Sequence, residues 1–297
     1  MFNKICIIGV GLMGGSIALA ARKNQLCSNI VGLGRAEDSE NLIHAQNLGI
    51  IDHYFFDTAL AVEKTDCIII ATPVGATESV FLQLKDIWSD STVYMDVGST
   101  KVNVIAAAKK VFGYIPNNFV PAHPIAGAEQ SGAAAAVSDL FTGKRLIITP
   151  GEETSPDALR KVQDFWHGLG TSISEMEVER HDSVLAATSH LPHILAYALV
   201  DLLGRKDEQD EIFKFAAGGF KDFTRIASSD PGMWRDICIA NKIEIISLIK
   251  QLQNELGDIS QILETNNSQQ LFDTFNNARN ARQRFLNFFN ETKCLNQ

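Results

Sequence analysis

An apolar strand running straight into a glycine loop constrains this chain more than any other feature. Lys4-Ile5-Cys6-Ile7-Ile8 leads into Gly9-Val10-Gly11-Leu12-Met13-Gly14, and Gly15-Ser16-Ile17-Ala18-Leu19-Ala20-Ala21 follows with helical character. Strand, G-x-G-x-x-G and helix, in that order, form the turn that a dinucleotide pyrophosphate requires. Gly9 permits the tight turn, Gly11 lets backbone approach the phosphates, and Gly14 lets the helix pack closely on the strand. The helix N-terminus then offers free N–H groups and partial positive charge to the anion. Gly9, Gly11, Leu12, Met13 and Gly14 are therefore the expected cofactor contacts, against the plainer reading of a tight βα turn without a ligand.

The pattern continues through the first half. Apolar runs at Lys4–Ile8, Asn29–Leu33, Cys67–Ala71, Thr92–Asp96, Phe119–Ala122 and Arg145–Thr149 alternate with helical segments at Gly15–Asn24, Ser39–Leu48, Thr77–Lys85 and Val102–Val111. A last αβ piece follows, Ser155–Gly168 as helix and Thr171–Glu175 as edge strand. Short buried strands alternating with helices predict an α/β fold, a Rossmann-like doubly wound parallel sheet. Past about residue 178 the period changes to helical only, with His181–Leu203, Asp207–Phe215, Met233–Leu256 and Gln269–Phe289 as helices. The expected division is a dinucleotide-binding domain over 1–175 and an all-helical domain over 176–297. Phe272, Phe275, Phe285, Phe288 and Phe289 exceed what a terminal helix needs locally, and either dock on a partner subunit or pack within the chain.

The 297 residues leave room for two domains, and 45% hydrophobic with 21% charged residues suits a globular chain. A net charge of −9 without a basic stripe argues against nucleic-acid binding. The five cysteines are odd in number and form no C-x-x-C pair, which suits a reducing compartment better than a disulfide framework. The first strand begins almost at once, leaving no room for a signal peptide, and no apolar run is read as approaching the roughly 18 residues of a membrane span. The expected location is cytoplasmic, with no membrane partner.

A dinucleotide lies across the carboxyl ends of parallel strands, so chemistry is sought just after strands. After the second strand, where an acidic residue for the adenosine ribose is expected about 20 residues past the glycine loop, stands Gly34 and then Arg35. A missing carboxylate and a neighbouring guanidinium favour a 2′-phosphate, hence NADP over NAD. The alternative is a solvated Arg35, with Glu37 or Asp38 holding the ribose. Thr72-Pro73 after the third major strand makes a rigid loop that lines the nicotinamide or its ribose, or simply ends the strand. After Asp96 comes Val97-Gly98-Ser99-Thr100-Lys101; Ser99 can bond a substrate hydroxyl or cap the next helix, and Lys101 reads as a solvated helix residue. His123 stands at the end of Phe119–Ala122, where neutral imidazole can take a proton from an alcohol near pH 7. Glu129 in the following loop can orient it, bind substrate or face solvent.

In the helical half, His190 and His193 share one helix face at i, i+3. No further ligand stands at fitting spacing, so substrate binding is favoured over a metal, and no metal site is expected. In Gly218-Gly219-Phe220-Lys221-Asp222-Phe223-Thr224-Arg225, Arg225 can hold a carboxylate through two parallel hydrogen bonds, with Asp222 bracing it.

Taken in order, GVGLMGGS, ATPV, DVGSTK, AHPIAGAEQSG, SHLPH and GGFKDFTRIASSDPGMWRD resemble the prephenate dehydrogenase family, which includes arogenate and cyclohexadienyl dehydrogenases, across residues 4 to about 240. The resemblance implies NAD(P)-dependent oxidative decarboxylation of prephenate or arogenate in tyrosine biosynthesis, by a nucleotide-binding domain joined to a helical domain that dimerises. It makes His123 the catalytic histidine on the ring hydroxyl and Ser99 a partner of that hydroxyl or of His123. His190 and His193 fall on the active-site helix, Arg225 on a substrate carboxylate, and Glu129 on a gating or side-chain contact. No residues remain for a fused mutase or a regulatory domain, so any feedback by tyrosine is expected at the active site. Two other readings are a β-hydroxyacid-type dehydrogenase using Lys242, which leaves His123 and the His190/His193 pair unexplained, and a non-catalytic NADP-sensing module.

Overall fold

The structure, a computed structural model, describes residues 2–295, with side chains through residue 288, so Phe289 lies outside the side chains described. Among the described residues, eight strands form one sheet in the order β3-β2-β1-β4-β5-β6-β7-β8. They are β1 (Phe2–Ile8), β2 (Cys27–Leu33), β3 (His53–Phe55), β4 (Cys67–Ile70), β5 (Val93–Asp96), β6 (Phe119–Pro124), β7 (Arg145–Ile148) and β8 (Ser172–Glu175). The helices of this half are α1 (Leu12–Lys23), α2 (Ser39–Asn47), α3 (Thr58–Val62), α4 (Thr77–Leu84), α5 (Val102–Phe112) and α6 (Pro156–Gly168).

The central strand β4 and the inner end of β1 are unbroken apolar runs because both faces of the sheet are covered there. Ile5 and Ile7 join Ile17, Phe165 and Trp166 in one core layer; Cys6 and Ile8 join Val31, Phe81 and Phe119 in the other. That alternation is the two-residue period of a strand feeding two buried layers. The strand order reverses at β1 and β4, the topological switch point where α/β sheets bind ligands.

The sheet is parallel except between β6 and β7, where His123 stands opposite Ile147 in an antiparallel pair. Between these strands lies only the one-turn 3-10 segment Ala133–Ala135, so no crossover helix exists to bring β7 round parallel. The doubly wound parallel sheet expected from the sequence is present, with this one antiparallel pair. Strand β3 and helix α3 carry no strong pattern in the sequence; β3 is three residues at the sheet edge.

The helical half contains α7 (Val178–Leu185), a π turn (Ala186–His190), α8 (Leu191–Gly204), α9 (Gln209–Lys214), α10 (Gly218–Thr224), α11 (Pro231–Ala240), α12 (Lys242–Glu264) and α13 (Ser268–Leu295). The segment read as one helix over Met233–Leu256 is two, broken at Asn241. Asn241 leaves helical geometry while its buried amide donates to Asp182 O at 2.8 Å and lies 3.1 Å from His190 Nδ1. The continuous helical stretch Val178–Gly204 is long and apolar enough, by length and composition, to cross a membrane. The sequence reading missed it because His181, Asp182, His190 and His193 interrupt the apolar run.

The chain packs as two compact units, Met1–Ile245 and Ile246–Gln297. The first holds the sheet and every residue of the candidate site. The second is a helical hairpin, the remainder of α12 turning into α13 through Asn266 at a φ of 51°.

Candidate active site

The glycine loop has the shape its sequence implies. Gly9 sits at a φ of 93°, and a side chain there would come within 2.9 Å of the Ala71 carbonyl oxygen on β4. A Cβ on Gly14 would run into the Gly9 carbonyl oxygen, so glycine at 14 is what lets α1 pack on the loop. Gly11 is different: a Cβ there meets nothing within 4 Å. The first turn of α1 holds no carboxylate and receives no side-chain cap, which leaves its N–H groups for an anion. Across the switch point, the Thr72 hydroxyl is buried without a hydrogen-bond partner, and Pro73 is exposed beside it. A bare helix N-terminus, an open glycine and an orphaned hydroxyl fit a bound dinucleotide.

Arg35 follows β2 as expected, but it is engaged. Its Nε and Nη2 donate to the two Asp38 oxygens at 3.0 and 3.1 Å, and these bonds hold the Asp38 carboxyl below its ordinary pKa. The Arg35 side chain is still 75% exposed.

At the end of β5, Asp96 organises the loop that follows. Its Oδ2 accepts from Gly98 N at 2.8 Å and its Oδ1 from Ala122 N at 3.3 Å. Lys101 also donates to Asp96 Oδ2 and is fully buried, which corrects its reading as a solvated residue. Burial pulls the Lys101 ammonium below its ordinary pKa, with Asp96 pulling against it. The loop is thus tied at both ends, with half-buried Ser99 between the ties. Ser99 does not cap α5: the cap position is Lys101, whose own side chain makes no capping bond.

His123, on β6, is 9% exposed. Its Nδ1 lies 2.9 Å from His181 Nε2, and His181 Nδ1 lies 2.7 Å from Asp182 Oδ1. Asp182 in turn accepts from the backbone N–H of Lys101 at 2.8 Å and of Val102 at 3.0 Å, at the start of α5. Burial pushes the pKa of His123 well below 6.5, with His181, Lys101 and His190 adding to the effect. His181 is lowered mainly by burial, although its bond to Asp182 opposes the shift. The close His181–Asp182 contact is therefore a hydrogen bond donated by a neutral imidazole to the carboxylate rather than an ion pair. Burial alone would raise the Asp182 carboxyl; the bonds from His181 and the two amides outweigh it, and the net shift is downward.

The helical wall is built on His190 and His193. Burial takes His190 down to about 4, and its Nδ1 faces the Asn241 amide while its Nε2 is buried without a partner. His193 Nδ1 donates to Ser189 O at 2.9 Å, and its ring stacks on Trp234 at 3.7 Å. Trp234 Nε1 is also buried without a partner, and its ring packs with Val74 in the loop after β4. The π turn ends at His190, where the helix widens. Among the described residues, no group of three His, Cys, Asp or Glu is placed to hold a metal ion. At the surface, Arg225 Nη1 donates to Glu129 Oε1 at 2.5 Å, so the residue that braces Arg225 is Glu129 and not Asp222. Lys242 is exposed at the start of α12.

The structure thus links His123, Lys101, His190 and His193 through contacts, and pairs Glu129 with Arg225. Sequence reasoning missed His181, Asp182, Asp96, Trp234 and Asn241. The available signal is the adjacent His181-Asp182 pair opening the helical half, which lies on a helix and not at a strand end.

Comparison with known proteins places these features in one family. The family model described as "Prephenate dehydrogenase, nucleotide-binding domain" matches residues 17–175, and "Prephenate dehydrogenase, dimerization domain" matches residues 177–277. A prephenate dehydrogenase of Bacillus subtilis is 37% identical over 95% of this chain and 76% of its own length. A cyclohexadienyl dehydrogenase of Zymomonas mobilis is 32% identical over 95% of this chain and 96% of its own. The crystal structure of prephenate dehydrogenase from A. aeolicus in complex with hydroxyphenyl propionate and NAD+ superposes with a TM-score of 0.87 at 34% identity, covering 96% of this chain and 99% of that one. With a switch-point glycine loop, a buried neutral histidine at a strand end and a helical wall of histidines, matched along both halves, this chain belongs to the prephenate dehydrogenase family.

Proposed function

We propose that this chain oxidatively decarboxylates prephenate or arogenate, with a nicotinamide dinucleotide as hydride acceptor and His123 as the base that takes the ring hydroxyl proton. The observation that carries the role of His123 is its placement: a buried imidazole near the carboxyl end of β6, one nitrogen engaged by His181, and kept neutral by burial so that a lone pair is free at neutral pH. Gly9, Gly11, Leu12, Met13, Gly14, Thr72 and Pro73 would hold the dinucleotide, which when bound supplies the acceptor for the hydride leaving the hydroxyl-bearing carbon. Loss of the hydroxyl proton to His123 leaves a carbonyl para to the ring carboxylate, and departure of that carboxylate as CO2 makes the ring aromatic. Ser99 orients the hydroxyl. His190, His193 and Arg225 hold the substrate, with Arg225 on its side-chain carboxylate and Glu129 releasing Arg225 when that carboxylate arrives. The protein's contribution is alignment and charge placement.

For the cofactor, NADP is the favoured choice. Gly34 offers no carboxylate against a 2′-phosphate, and Arg35, mostly exposed, can exchange Asp38 for a phosphate in the same two-pronged geometry. The protein acts as a cytoplasmic homodimer joined through the helical domain.

Steady-state rates with prephenate and arogenate, each with NAD and NADP, test this reading directly. Turnover of either substrate with a higher kcat/KM for NADP is expected, and His123→Ala should abolish turnover while retaining cofactor binding. Activity surviving in that variant would remove His123 from the role of base.

A further inference from the structure

A base must present a lone pair, and neutral imidazole has one on only one of its two nitrogens. Which nitrogen carries the proton is set by the bond that the other nitrogen makes. Around His123 that choice propagates from a fixed end. Asp182 accepts two backbone N–H groups from the start of α5, and its Oδ1 also contacts His181 Nδ1 at 2.7 Å. With donors on both oxygens the group is an acceptor-only carboxylate, so the proton between Asp182 and His181 belongs to His181 Nδ1. His181 Nε2 is then a lone pair. It lies 2.9 Å from His123 Nδ1, which must bring the proton.

We infer that Asp182 and His181 are positioning residues that lock His123 in its Nδ1–H tautomer, leaving Nε2 as the lone pair that receives the substrate proton. The reverse arrangement, with a neutral His181 donating from Nε2 to His123, would set the Nδ1 lone pair against the Asp182 carboxylate, and burial disfavours the imidazolium that would carry both protons. The surroundings keep the row neutral apart from its carboxylate end: Lys101 and Asp96 form a buried pair beside it, and His190 lies on its helical side. Asn241, at the break between α11 and α12, holds Asp182 by donating to its backbone oxygen. The logic is that of a catalytic triad whose carboxylate sets the imidazole tautomer, with a second histidine inserted between them.

The inference rests on His123 being the base, but its test does not. In the full-length protein labelled with 15N-histidine, long-range 1H–15N correlation spectra at pH 7.5 separate the tautomers of the seven histidines; His123→Ala assigns the His123 signal. The wild type is expected to show His123 protonated on Nδ1 with a bare Nε2. His181→Leu, which removes the acceptor, should turn His123 to the Nε2–H form and lower kcat by about 100-fold or more, the scale of general-base catalysis, with KM for substrate and cofactor little changed. His181→Gln, whose side-chain oxygen can accept the same proton, should restore much of the loss. A wild-type His123 protonated on Nε2 overturns the proposal, as does a His181→Leu enzyme with kcat within threefold of wild type. Turnover surviving in His123→Ala would instead overturn the base assignment and leave the tautomer measurement standing.

Discussion

Burial decides the charge of every histidine around this site. His123, His181, His190 and His193 are all lowered from 6.5, chiefly because imidazolium loses its water there, and His190 falls to about 4. Above pH 6.5 both the folded and the unfolded chain hold these rings neutral, so they leave stability independent of pH. Below it the unfolded chain takes up protons that the folded chain refuses, and stability falls as pH drops through 6.5 toward 4. The urea midpoint should therefore decrease between pH 7.5 and pH 5; an unchanged midpoint would mean these rings are solvated. The same depression places the acid limb of kcat/KM below 6.5. His123 was legible in the sequence because it follows a strand in a parallel sheet, where ligands bind. His181 and Asp182 were not, because what makes them functional is a bond across 58 residues to β6 and another across 81 to α5. Lys101 differs from its expectation for another reason: a lysine at a helix start is ordinarily solvated, and the nearby Asp96 carboxylate makes its burial tolerable.

At the scale of elements, period and punctuation located most strands and helices to within a few residues, since these are decided by local pattern. The exceptions were decided elsewhere. Strand β3 exists because β2 has a free edge, β7 turns antiparallel because no helix precedes it, and the helix read over Met233–Leu256 breaks where the Asn241 amide is used as a tertiary tie. The glycine loop shows how one motif holds two kinds of glycine. Gly14→Ala meets backbone and should cost about 1–3 kcal/mol, read as a lower thermal midpoint. Gly11→Ala meets only open space, so the fold should lose no more than about 1 kcal/mol, yet KM for the dinucleotide should rise at least tenfold. Equal thermal losses in the two variants would show that Gly11 serves the fold and not the ligand.

At the scale of the whole molecule, the single chain leaves large apolar side chains in water. Ile243 is 77% exposed, Ile239 67% and Phe272 63%, and Phe275 is also more than half exposed. Large apolar side chains left exposed on each unit suit association, and the matched dimerization domain covers these positions. Sedimentation should give twice the 32.6 kDa chain mass, and Ile243→Asp should shift the equilibrium toward monomer. A monomeric wild type would remove the homodimer.

What the sequence determined by itself was whatever depends on neighbours along the chain: the alternation that makes a doubly wound sheet, the glycine turn that admits a pyrophosphate, the strand end that presents His123, and the run of motifs that marks the family. Tertiary structure alone decided the rest. The row of hydrogen bonds from Asp182 to His123 and the pairing of Arg225 with Glu129 join residues far apart in sequence, and Lys101, though only five residues from Asp96, is fully buried. Their charge states and hydrogen bonds depend on which distant groups exclude water around them, and a one-dimensional pattern carries no information about that exclusion.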